Sequence, residues 1–350
     1  LANGSTILML LACPSGAKRH MNTGLPRASS SNCLDKRRFK IEIRRKNMEY
    51  NNKECILELT EQWKGDRFED GRPKVPDTVL DILRGMTLEE IWLPLYIAGY
   101  KFQYAGDLRA LHPGKKLVGR AVTCTFVPTR PDLAHFVKQE GNRLGYAGTC
   151  NQWVVDNLVE GDVVVADMFD KIYNGTFVGG NLTTAIAAKT KTGGAVIWGG
   201  VRDIEQMEKI QNTQVFYRGM DPTPIRECVA VGINTPCRIN QAVCLPGDIV
   251  FGTPSGVLFI PAHMVEYAIE EAFKTHAKDD FGFHALRIGR YTTAQIDDSL
   301  WSTQMLDDMD EYIRLTPSCE KYRGLNWDRE RKAAQGDPEA MREVLRTCLQ

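Results

Sequence analysis

The chain has 350 residues, of which 43% are hydrophobic and 25% charged, with a formal net charge of zero. That is the make-up of a globular protein with one large domain and appendages, or two domains, and it argues against a dedicated nucleic-acid binder. The zero is uneven: ten Lys/Arg stand against two Asp/Glu between Ala17 and Asn47, so the remainder is mildly acidic and offers no steering toward phosphate backbones.

The ten cysteines show no C-x-x-C spacing, and several lie in apolar runs, such as Cys124 in AVTCTFV and Cys244 in AVCLPG. This pattern predicts packed thiols in a reducing, cytoplasmic compartment rather than a disulfide framework. The six histidines are scattered and predict no zinc site.

The apolar run Ile7–Cys13 is like a shortened signal core, but it lacks a basic leader and is too short to span a bilayer, so no membrane partner is expected. Residues 1–47 read either as a targeting segment or as dispensable, disordered sequence. Residues 48–76 read as a helical lead-in, with a helix over 51–63.

Asp77 is placed to cap the first helix of the body, and Thr87-Leu88-Glu89-Glu90 is a capping box for a second. The run from Lys116 to Pro128 predicts a strand, with Gly119 at a bulge. Asp162 reads as a turn former feeding the strand Val163–Ala166. Asp167 and Asp170 follow that strand and face either a site or a solvated loop.

Gly179-Gly180 precedes the helical run Asn181–Ala188, and unpaired N–H groups at a helix start attract anions. Gly193-Gly194 ends that helix, and Ala195–Trp198 is an apolar strand stopping at Gly199-Gly200-Val201 before Arg202 and Asp203. In isolation Arg202-Asp203 is an ordinary surface ion pair; beside the glycines it forms a cation for a carboxylate and a carboxylate for a metal. A helix over 204–210 and a strand over 214–219 follow, then a loop ending near Arg226.

The stretches 229–233 and 238–243 predict a hairpin around Asn234-Thr235-Pro236, and Ile249–Phe251 and Val257–Ile260 two further strands. Pro261–His276 has helical periodicity, and 293–315 reads as another helix. Short β units beside α/β crossovers favour a layered sandwich over a doubly wound sheet.

The blocks GG-x-L-x-x-A (from Gly179), GG-V-R-D (from Gly199), GDVVVAD (from Gly161) and PGDIVFGTPSGV (from Pro246) resemble, in order and spacing, the RraA-like family. That family includes metal-dependent 4-hydroxy-4-methyl-2-oxoglutarate aldolases, the class II pyruvate aldolases. The resemblance covers roughly Thr78 to Phe273. It implies an α/β/β/α swivelling-type sandwich over 77–275, with 276–350 as a helical C-terminal extension.

It also implies a divalent-metal-dependent lyase on a small 2-oxo acid, through a pyruvate enolate. Asp203 would be the ligand of Mg²⁺ or Mn²⁺, and Arg202 would grip the substrate carboxylate or enolate oxygen. The amides of Gly180, Asn181, Leu182 and Thr183 would hold other carboxylate oxygens. Arg226, where aldolases tend to carry Lys, would bind a second carboxylate or cap a sheet edge.

Two acidic positions of the family fall on amides here, Asn181 and Gln206, which hydrogen-bond but cannot act as bases. Glu205 and Glu208 are nearby substitutes. The family also implies a closed homo-oligomer, a trimer or a dimer of trimers, with the site at a subunit boundary. The alternative reading is a non-catalytic RraA-type regulator that binds a ribonuclease or another protein. A methyltransferase is disfavoured, because no glycine-rich cofactor loop with an acidic ribose partner is present.

Overall fold

A computed structural model describes residues 49–346; the segment expected at 1–47 lies outside the described residues. Strand β1 (Glu49–Tyr50) leads into α1 (Lys53–Leu59), α2 (Asp77–Arg84) and α3 (Leu88–Ile97). Strands β2 (Tyr104–Ala105), β3 (Arg109–Ala110) and β4 (Leu117–Pro128) precede α4 (Pro131–Arg143) and α5 (Cys150–Asp156). The alternating stretch follows: β5 (Asp162–Asp167), β6 (Thr176–Val178), α6 (Gly180–Thr190), β7 (Gly194–Val201), α7 (Ile204–Met207) and β8 (Gln214–Met220). Next come β9 (Cys228–Ile233), β10 (Cys237–Ile239), β11 (Ala242–Cys244), β12 (Ile249–Thr253) and β13 (Gly256–Ile260). The chain closes with α8 (Val265–Arg287), α9 (Thr293–Ile296), α10 (Thr303–Leu315), α11 (Asp328–Ala334) and α12 (Pro338–Arg346).

Side-chain alternation explains the layers. On β5, Val164 and Ala166 enter one core with Ile186 of α6 and Trp153 of α5, while Val163 and Val165 enter another. That second core also receives Val250, Val257 and Phe259 from β12 and β13, so it is the seam between two β layers. The outer face of β12, through Ile249 and Phe251, packs on α2, α3 and α8. Helices, sheet, sheet and helices therefore stack in that order, the sandwich expected from the sequence. At Gly252 an added Cβ would meet the Phe216 ring at 2.5 Å, so a side chain there would part the two β layers.

Strand β4 curls one sheet into both layers. Its first half pairs antiparallel with β12 (Gly119↔Val250), its second half pairs antiparallel with β9, and β5 runs parallel along its other edge. From β5 the sheet continues through parallel β7 and β8, with β6 also parallel to β7. Parallel strands covered on both faces need apolar residues throughout, and every residue of β5 and β7 is buried.

Several local expectations need correction. Asp77 is the first residue of α2 rather than its cap; its carboxylate pairs with Arg120. The β4 bulge lies between Thr125 and Phe126, while Gly119 lets the Gly161 carbonyl approach to 2.6 Å of where a Cβ would sit. The hairpin is β10–β11 around Asn240, in the left-handed region at φ 56°, and β9 instead joins the main sheet. The helix after Asp203 stops at Met207, and the span 293–315 is broken into α9 and α10 at Asp297 to Ser302. The capping box holds: Thr87 N–H donates to Glu90 Oε2 at 2.8 Å.

The C-terminal helices have their own core. Phe281 of α8 packs edge-on against Tyr291 and Trp301 at centroid distances of 6.2 and 5.8 Å, over Met305, Leu306 and Met309. Helix α8 spans both cores without a break, so the expected division at 275/276 falls inside it.

Candidate active site at three strand ends

Val178 of β6 pairs with Val201 of β7, and Val201 pairs with Met220 of β8. Gly179, Arg202 and Asp221 therefore leave the sheet side by side, at the carboxyl ends of three neighbouring parallel strands, where open α/β sheets gather ligands. Two backbone bonds fix this row: Arg202 N–H donates to the Val178 carbonyl at 3.0 Å, and Asp221 N–H to that of Val201 at 3.1 Å.

Gly179 is extended, at φ −141°, so its backbone suits any residue; what it supplies is room. A Cβ there would lie 2.4 Å from Asp203 Oδ2 and 2.9 Å from Arg202 Cγ. The next glycine has the same relation to Gln206, whose Oε1 would lie 2.3 Å from a Cβ at Gly180. The glycine pair, the Arg-Asp pair and Gln206 thus share one surface.

Asp203 is held in the left-handed region (φ 56°, ψ 38°), an uncommon conformation that Asp tolerates better than most residues. Its carbonyl starts α7 by accepting from Gln206 N–H at 2.9 Å and Met207 N–H at 3.0 Å. Its carboxylate makes no cap bond and turns back to accept from Gly180 N–H at 3.3 Å, 3.8 Å from Arg202. Arg202 and Asp203 keep 40% and 32% of their side chains exposed, so both can reach a ligand. The cleft they line holds about 400 Å³ and is open to solvent; Glu205, Gln206, Met220 and Asp221 also line it.

The cradle is narrower than the sequence implied. Gly180 N–H is engaged by Asp203, and Thr183 N–H donates to the Gly179 carbonyl at 3.0 Å. Asn181 and Leu182 keep N–H groups without an acceptor among the described residues. The Thr183 side chain is fully buried, its hydroxyl without a hydrogen-bond partner among the described residues, and Leu182 packs toward the core. Arg226 is exposed, tied through its backbone N–H to the Asn174 carbonyl at 2.9 Å, and does not line the cleft.

Asp167 and Asp170 lie elsewhere. Asp167 is buried and accepts from Phe169 N–H at 2.8 Å, its carboxyl pushed up by desolvation, and Asp170 pairs with Arg218 at 2.9 Å.

Asp221 is the residue the sequence reading passed over. Its carboxylate accepts from both the N–H and the hydroxyl of Thr223, at 2.9 and 2.5 Å, and these bonds hold it below the usual carboxylate range. The available signal was its position just past β8, level with Arg202 past β7.

Residues 79–259 match the RraA-like family (Aldolase/RraA). The chain belongs to that family. A putative 4-hydroxy-4-methyl-2-oxoglutarate aldolase of Halalkalibacterium halodurans is 28% identical over 120 residues, 34% of this chain and 56% of that protein. Protein DlpA of Legionella pneumophila is 27% identical over 166 residues, 47% of this chain and 25% of that protein. The chain thus spans a quarter of one curated relative and just over half of the other. In fold it is similar to Streptomyces coelicolor RraAS2, described as an unusual member of the RNase ES inhibitor RraA family. The TM-score is 0.50 at 21% identity, over 62% of this chain and 98% of that one.

Proposed function

We propose that the chain is a lyase acting on a small 2-oxo acid, by aldol cleavage of a 4-hydroxy-2-oxo acid or decarboxylation of oxaloacetate. The observation carrying this reading is the gap at Gly179, which brings a helix N-terminus against a half-buried arginine and a carboxylate that makes no bond to its own helix. The resemblance to an aldolase-named relative supports it.

Arg202 would bind the substrate carboxylate through its planar fork, and the N–H groups of Asn181 and Leu182 would take further carboxylate oxygens. Among the described residues no three His, Cys, Asp or Glu side chains cluster to cage an ion. One carboxylate still fits Mg²⁺ or Mn²⁺, hard ions that keep most of their water, and Asp203 would hold the ion. When bound, such an ion supplies electrostatic stabilisation of the negative charge that develops on the 2-oxo oxygen.

Bond breaking between C3 and C4 leaves the electron pair on the pyruvate enolate, and a proton at C3 completes pyruvate. Aldol cleavage also needs a base for the C4 hydroxyl proton. Gln206 cannot be that base, which leaves Glu205 and Asp221 as the carboxylates lining the cleft besides Asp203. Pyruvate release from a 2-oxo acid panel, with Mg²⁺ or Mn²⁺ and with Asp203→Ala as control, tests the assignment.

The amide at Gln206 favours a second reading, a non-catalytic regulator that binds a ribonuclease. Under it, wild type releases no pyruvate, and a ribonuclease partner is retained by the Asp203→Ala variant. We also propose a closed homo-oligomer, trimer or hexamer, in which a second copy covers the open side of the cleft. A monomeric mass by light scattering at micromolar concentration, with full activity, would rule this out.

A further inference from the structure

The chain builds the same turn twice, once in Val159-Glu160-Gly161-Asp162 before β5 and once in Leu245-Pro246-Gly247-Asp248 before β12. In each the Asp carboxylate accepts from the N–H three residues back, Val159 at 2.9 Å and Leu245 at 2.8 Å. In each the glycine is left-handed, at φ 80° and 84°. Both aspartates are buried, and β5 and β12 flank β4 on opposite edges.

What differs is the counter-charge. Asp162 receives the Arg72 guanidinium on both oxygens, at 2.8 and 3.2 Å. Asp248 is 4% exposed, and what its carboxylate accepts is the Leu245 N–H, with no guanidinium or ammonium beside it. No Lys or Arg lines the space beside it, a cavity of about 380 Å³. Glu58, Glu61, Trp63 and Tyr100 are among the residues that line that cavity. His263 also lines it, bonded to the Tyr100 hydroxyl at 2.8 Å, and burial lowers its pKa. Burial pushes the Asp248 carboxyl up to about 7. A buried carboxylate without a counter-charge is costly, and aromatic groups with acids are the surroundings in which organic cations bind.

We propose that this cavity is a binding site for a small organic cation, a guanidinium or primary ammonium group that meets Asp248 as Arg72 meets Asp162. The site is formed by the α1 end, the residues after α3 and the turn before β12, and shares no lining residue with the cleft at Arg202 and Asp203.

Calorimetry on the full chain at pH 8 tests it, with butylguanidinium and butylammonium chloride as probes and butanol, butyrate and potassium chloride as controls at equal ionic strength. The expected result is saturable binding of one cation per chain, with the controls silent. Asp248→Asn should weaken it at least tenfold, and Asp203→Ala should leave it unchanged. Should Asp248→Asn fail to fold, the surface double variant Glu58→Gln/Glu61→Gln should still weaken binding several-fold. Absence of cation binding, equal binding of butanol or butyrate, or undiminished binding in both Asp248→Asn and the glutamine variant would overturn the proposal. Binding is read directly, so the result stands whether or not the chain proves to be a lyase.

Discussion

Gly179 and Asp203 approach so closely that one added methyl carbon on the glycine would lie 2.4 Å from Asp203 Oδ2. No side chain tolerates that distance, and the atoms that must yield are the carboxylate and the neighbouring Arg202. Gly179 is therefore a positioning residue, because its lack of a side chain lets the other two keep their places.

Gly179→Ala should leave the fold intact, since its backbone is extended and the displaced groups are partly exposed. Displacement of reacting groups by about 1 Å costs roughly 100-fold in rate. Pyruvate release should fall by that order while the circular dichroism spectrum and melting temperature stay close to wild type. Full activity in Gly179→Ala would separate the glycine from the chemistry.

The amides give a gain-of-function test. Gln206 Oε1 sits over Gly180, so an acid at 206 would enter the same space, and Asn181 is the second residue of the helix that Gly180 opens. General-base help contributes at least about 100-fold. Asn181→Asp with Gln206→Glu should raise pyruvate release toward that factor. Fast wild-type turnover, unchanged in the double variant, would show that Glu205 or Asp221 already serves as base.

Asp248 gives a stability test with a defined sign. Its folded pKa of about 7 lies above the value of about 3.9 for an unfolded chain. Between those values the folded state keeps a proton that the unfolded state has lost, so stability falls as pH rises from about 4 to about 7. Asp248→Asn keeps an acceptor for Leu245 N–H and removes the titration. Its melting temperature should gain on wild type as pH rises from 5 to 8, and an identical pH profile in the two proteins would contradict the buried titration.

Much of this was legible in the residues. The glycine blocks and their spacing located α6, β7 and the Arg202-Asp203 pair, because glycines at close approaches and apolar runs in doubly covered strands have few other uses. Asp221 and the seam between β layers were not legible, since both depend on register between strands distant in sequence. The hairpin was misplaced for the same reason: Val229–Ile233 is as β-prone as Cys237–Cys244, and only the pairing with β4 decides which joins the sheet. Asp162 was readable as a turn former, but its partner Arg72 lies on a polar link that carries no periodic pattern.

The central claim is that the cleft at Gly179, Arg202 and Asp203 releases pyruvate from a 2-oxo acid. The most direct measurement is coupled detection of pyruvate from 4-hydroxy-2-oxo acids and oxaloacetate, with purified wild type and Asp203→Ala side by side in Mg²⁺ or Mn²⁺. The account predicts release by wild type above the metal-only rate and none above it by Asp203→Ala, with both proteins equally folded. Equal release by the two proteins, or none by wild type across the panel, would contradict it.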